Sequence, residues 1–179
     1  MPHDACILTT KDFTILEVML DRCLGTGDPM RALLSRKIDA ATVVFRDDVP
    51  PDVATLRSRV TFAIDGREPD TRVLSHDRMN APIGLYLPIT TLRGLALLGL
   101  AAGQAFFLAK PDGGEERIVL EAVAYQPEAA TRERDALARL ATPAARRAAL
   151  RVIPGTLHGH LVAPAAWTGD PDDPGPSAA

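Results

Sequence analysis

The hydrophobic period of this chain changes once, at a proline pair. From Phe13 to Phe45 apolar residues recur three and four apart, whereas beyond Pro50-Pro51 they recur every second residue, at Val60, Phe62 and Ile64. Spacing of three and four lays an apolar stripe on a helix, and alternation lays one on a half-buried strand. A chain carrying both in succession is expected to be α+β, with helices first and an antiparallel sheet after them.

The helical part divides in two. Phe13, Leu16, Leu20 and Cys23 form one stripe, and Leu34, Ile38, Ala41 and Phe45 form another. Between them stands Gly25-Thr26-Gly27-Asp28-Pro29. Glycine suits a helix end, and Asp followed by Pro suits an N-cap and the first helical position. Residues 1–46 therefore predict an antiparallel helical hairpin, a short coiled coil with its tip at Gly27 and Asp28. The arms are expected to pack mainly on each other, burying Leu16 and Ile38. An arm of about 14 residues is about 20 Å long.

Residues 47–127 form the second expected domain, entered through the stiff acidic run Asp47-Asp-Val-Pro-Pro-Asp52. Strands are expected at Val60–Ile64, Thr71–Leu74 and Ile83–Leu87, with an Asp65-Gly66 hairpin turn and a loop over His76–Pro82. Thr91–Ala101 reads as one apolar helix stopped by Gly103, with Thr90 or Thr91 as its cap. Ala105–Ala109 and Arg117–Tyr125 close the sheet around the turn Pro111-Asp-Gly-Gly114. The consecutive Ile118, Val119 and Leu120 suggest a strand buried on both faces. Residues 128–179 are the third piece. Glu128–Val152 is rich in Ala and Arg and helix-prone, with a break at Pro143, and Thr168–Ala179 has the Pro/Asp/Gly composition of a disordered tail.

Composition narrows the function. Lys and Arg number 20 against 23 Asp and Glu, a net charge of -3, so bulk charge argues against a basic nucleic-acid module. Aromatics make up 4%, too few for base-stacking platforms. No apolar run approaches the roughly 20 residues that cross a bilayer, so no membrane partner is expected. The start, Met1-Pro2-His3-Asp4, lacks the pattern of a signal peptide. Cys6 and Cys23 make no disulfide framework, and a reduced, cytoplasmic setting is expected. No catalytic residue stands out. Ser58 and His76 lack a nucleophile motif, and the glycines match neither GxGxxG nor a P-loop. His158-Gly-His160 has no third ligand nearby, so no metal site and no cofactor are expected. The Arg-rich stretch from Arg132 to Arg151 reads as a solvated helix, and any nucleic-acid contact is expected only indirectly.

One set of segments carries a family resemblance: Val49-Pro-Pro-Asp-Val-Ala-Thr-Leu-Arg-Ser-Arg-Val-Thr-Phe62, Gly94-Leu-Ala-Leu-Leu-Gly99, Gly103, Pro111-Asp-Gly-Gly114 and Tyr125-Gln-Pro-Glu-Ala-Ala130. Together they resemble the bacterial regulators of nucleoside diphosphate kinase (Rnk), which share a C-terminal domain with the GreA/GreB transcription elongation factors. The resemblance covers roughly residues 47–130. It implies an FKBP-like sheet with one packed helix behind a shortened coiled coil. It also implies a monomer that binds RNA polymerase at the rim of the secondary channel. The elongation factors grip polymerase partly through an acidic residue and Ser-Pro at the start of the packed helix; Thr90, Thr91 and Leu92 stand there in this chain. Cleaving members bring grouped carboxylates to a Mg²⁺ ion at the coiled-coil tip. This tip has Asp28 alone, with Asp21 more than a turn back. The reading is thus a polymerase-binding transcription regulator without cleavage activity, not an enzyme. Two alternatives stand beside it: a cleavage factor that rescues backtracked polymerase, and an FKBP-like prolyl isomerase or chaperone module. The third needs an aromatic-lined pocket from Phe62, Tyr86, Phe106, Phe107 and Tyr125.

Overall fold

A computed structural model describes residues 6–22, 27–76, 84–110, 113–140 and 147. The chain divides into two units, residues 1–142 and 143–179. Every element below lies in the first. The expected tail, His158 and His160 lie outside the described residues, as do Cys23 and most of the His76–Pro82 loop.

The first elements are β1 (Cys6–Thr9), α1 (Thr10–Arg22), α2 (Pro29–Ala40) and β2 (Ala41–Val44). The Thr9 hydroxyl accepts from the Asp12 amide at 3.1 Å, which caps α1. Asp28 caps α2, accepting from Met30 N at 2.8 Å, with Pro29 at the first helical position. The second helix is shorter than its stripe suggested. It ends at Ala40, and the β-branched run Thr42-Val43-Val44 turns extended and pairs in parallel with β1, from Cys6↔Ala41 to Thr9↔Val44. Phe45, the last residue of the expected stripe, is 73% exposed. Parallel neighbours need a crossover, and α1 with α2 supplies it.

The larger sheet contains β3 (Arg59–Ile64), β4 (Asp70–Ser75), β5 (Tyr86–Pro88), β6 (Ala105–Ala109) and β7 (Glu115–Tyr125), ordered β5-β4-β3-β7-β6. Asp65 and Gly66 both take positive φ, 50° and 71°, as a tight hairpin turn requires. The expected all-antiparallel sheet is corrected at its edge: β5 runs parallel to β4, with Val73 opposite Tyr86. β7 is not buried on both faces either. Ile118 and Leu120 are fully covered while Val119 is half-buried and Glu121 exposed, so the strand alternates after all.

α3 (Leu92–Leu97) is shorter than expected and ends well before Gly103. Gly99 takes φ +81°, and a Cβ there would stand 2.8 Å from the Leu8 side chain and 3.0 Å from Ile7 O. The chain must leave the helix here so that Ile7 N can reach Gly99 O, at 2.9 Å. Gly94 has the same kind of role toward the sheet: a Cβ would lie 2.2 Å from Pro88 O. The last element, α4 (Pro127–Leu140), buries no residue.

One core joins the helical crossover to the sheet. Leu16, Leu33 and Leu34 belong to the same buried cluster as Phe62, Leu95, Leu98, Phe106, Ile118 and Leu120. α1 and α2 therefore pack on the sheet layer as well as on each other. Leu16 is fully buried as expected, whereas Ile38 is only partly so. Lys37 is 1% exposed, and its ammonium donates to Leu98 O beside the Phe106 ring.

Candidate functional site

The start of α3 is where the chain brings surface chemistry together. Thr91, in extended conformation, caps the helix: its hydroxyl accepts from Gly94 N at 3.2 Å and donates to Pro88 O at 2.7 Å. That donor is fully engaged. Thr90 is exposed beside it, and Leu92 is half-buried. Leu92 packs against the core from outside and also lines a groove of about 560 Å³ with Leu87, Leu108 and Ala109. Of the three expected contact residues, then, Thr90 is exposed, Thr91 and Leu92 are both half-buried and line the same groove, and Thr91 also shapes the helix start.

The rim of this groove is charged. Arg93 grips Glu116 through two bonds, Nε to Oε2 at 3.0 Å and Nη2 to Oε1 at 2.6 Å. Lys110 meets Asp65 at 3.2 Å, and Arg72 meets Asp70 at 2.6 Å. The Arg117 amide and then Lys110 hold the Asp65 carboxyl below its ordinary range, and the Glu116 carboxylate raises the Arg93 guanidinium. Such exposed pairs add little stability, but they fix where the charges stand. Beyond Leu87 a second hollow of about 430 Å³ opens over Phe62 and Ile64, with Arg67 and Arg72 at its edge. Sequence reasoning missed the Arg93–Glu116 clamp, because residues on α3 and β7 give no local sign of their partnership.

The five aromatics do not converge. Phe62 and Phe106 are buried in the core, Tyr125 is half exposed, and Phe62 and Phe107 line different hollows. At the other end of the crossover, Gly27 and Asp28 are both exposed, and Asp28 Oδ1 accepts from Met30 N as the cap of α2. No group of three metal-ligating side chains occurs among the described residues.

A third polar constellation ties α4 to the body. Thr55 Oγ1 donates to Glu128 Oε2 at 2.7 Å and lies 2.9 Å from Ser58 Oγ. Gln126 Nε2 donates to Pro50 O and Val53 O, each at 2.7 Å. Nearby, Asp12 Oδ2 accepts from Leu56 N at 3.4 Å. Burial pushes the Asp12 carboxyl up from its ordinary 3.8 to about 6, and the Glu128 charge pushes the same way. Ser58 is thus a buried structural hydroxyl. No described helix is long and apolar enough to cross a membrane.

Known proteins share this architecture. No family model matches the chain. The regulator of nucleoside diphosphate kinase of Escherichia coli K12 is 28% identical over 131 residues, covering 73% of this chain and 96% of that protein, and its counterpart in Shigella flexneri matches equally. Among solved structures, a prokaryotic transcription elongation factor GreA/GreB from Nitrosomonas europaea aligns with a TM-score of 0.52 at 30% identity, covering 68% of this chain and 98% of that one.

Proposed function

The chain belongs to the GreA/GreB transcription elongation factor family, and from that premise we propose that it is a regulator that binds RNA polymerase at the secondary channel without promoting transcript cleavage. In this reading α1 and α2 are a shortened coiled coil, the larger sheet with α3 is the FKBP-like domain, and the setting is the cytoplasm. The α3 start, with Thr90 exposed and Leu92 at the mouth of an apolar groove, is the gripping surface. Thr91 contributes by holding the helix start in place.

The observation that carries the non-cleaving part is that Asp28 stands without a second carboxylate in the tip segment. Binding a Mg²⁺ ion at a tip takes closely grouped carboxylates. Asp28 is the one carboxylate of the 23–28 segment, and it accepts from Met30 N as the cap of α2. Length supports the same reading: α1 has 13 residues and α2 has 12, so each spans about 20 Å. Such an arm occupies a channel entrance more readily than its depth.

Co-purification with core RNA polymerase, in competition with a Gre factor, tests the binding. The expected result is mutual displacement. Retention of both factors on one polymerase would place this protein at some other surface.

A further inference from the structure

The arm formed by α1 and α2 carries a groove along one side. Thr14, Glu17, Val18 and Asp21 recur at the spacing that puts residues on one face of α1. With Leu20, and with Ile38 of α2, they line a hollow of about 380 Å³. From Thr14 to Asp21 the face runs for about 10 Å along the helix. Its apolar part is not covered: Val18 is 41% exposed, and Leu20 and Ile38 pack on the core only in part. Two helices alone do not close over Ile38.

The same face carries charges that α1 by itself does not favour. Glu17 and Asp21 are like charges one turn apart, and such pairs repel. Asp21 also stands in the last turn, where the helix dipole disfavours a carboxylate. Both side chains are exposed, and neither carboxylate has an ion pair or a hydrogen bond among the described residues. No cation lines the hollow. Nor do three metal-ligating side chains gather anywhere among the described residues, so the charges are spread along the groove rather than closed around an ion.

We propose that this groove docks a basic amphipathic helix of a partner protein, which packs along α1 and α2 as a third helix. The apolar stripe of that helix covers Val18, Leu20 and Ile38, and Lys or Arg side chains one turn apart meet Glu17 and Asp21. The fit is one of charge as well as shape: the lining holds two carboxylates and no positive group. A second copy docking through the same face would set those carboxylates against their own counterparts. The proposal does not depend on the grip at α3.

The test uses the full chain and a capped helical peptide, acetyl-Lys-Leu-Ala-Ala-Lys-Leu-Leu-Ala-Lys-Leu-Ala-Ala-Lys-Leu-amide, followed by amide and methyl chemical shifts. The expected result is saturable binding that moves the signals of Val18, Leu20 and Ile38 and weakens as salt rises. A scrambled peptide of the same composition, with no apolar stripe, should bind at least tenfold more weakly. Val18→Ser, at an exposed position, should weaken binding severalfold. The double variant Glu17→Lys, Asp21→Lys should lose the Lys peptide and gain a version with Glu in place of Lys, a swap that a misfolded variant would not show. Equal binding of the scrambled peptide overturns the proposal, because charge alone would then hold it. So does the absence of saturable binding, binding that the double variant leaves unchanged, or shifts confined to residues outside the groove.

Discussion

The two ends of α2 differ in what holds them. At its base, Lys37 is buried with its ammonium on Leu98 O, and Leu33 and Leu34 lie in the core shared with the sheet. At its tip, Pro29 is exposed and one carboxylate caps the helix. The base is where structural energy concentrates; the tip carries a cap and no further described chemistry.

The largest effect should come from the base. Leu34→Ala removes a fully buried side chain and should cost ~2–5 kcal/mol. Because the core is continuous, denaturant unfolding followed by helix and sheet signals should stay in one transition. Two separated transitions would break the contrast by making the arms an independent unit.

Next comes the joint between α1 and the 49–58 loop. Asp12 holds its proton more tightly in the folded protein, at about 6 against 3.8. Its contribution is therefore full below about pH 4 and lost as pH rises through 6, when a buried carboxylate must ionise. Asp12→Asn should remove this dependence and raise stability at pH 8 by about 2–3 kcal/mol, with little change at pH 4. Equal gains at both pH values would show that the carboxyl does not titrate in this window.

At the α3 start, Leu92→Asp should weaken polymerase binding at least tenfold, about 1.4 kcal/mol. Leu92 is half-buried against the core, so circular dichroism must first show the variant folded. A folded Leu92→Asp protein with wild-type binding would remove the grip from this surface. The smallest effect belongs to the tip: Asp28→Ala should cost about 1 kcal/mol of stability through the lost cap and leave polymerase binding unchanged.

Local chemistry was readable in the sequence where it acts over a few residues. The Asp28-Pro29 start of α2, the alternation Val60-Phe62-Ile64 and the Asp65-Gly66 turn each carry their own signal. What the sequence hid depends on contacts between distant segments. Residues 41–44 continue a helical stripe on paper and become a strand because β1 is there to pair with. α3 stops at Leu97 because Ile7 needs the carbonyl of Gly99. Nothing beside Lys37 in the sequence signals that α3 brings Leu98 O to its ammonium. At the candidate site, the positions of Thr90, Thr91 and Leu92 at the helix start could be read, but the groove beside Leu92 and the Arg93–Glu116 clamp could not. Both need β6 and β7 folded against α3.

The most direct measurement is transcript cleavage on backtracked polymerase complexes, with occupancy verified by displacement of a labelled Gre factor. The account predicts full displacement and no cleavage above the polymerase's own rate at any Mg²⁺ concentration. Cleavage that rises on adding this protein and vanishes in Asp28→Ala would contradict it.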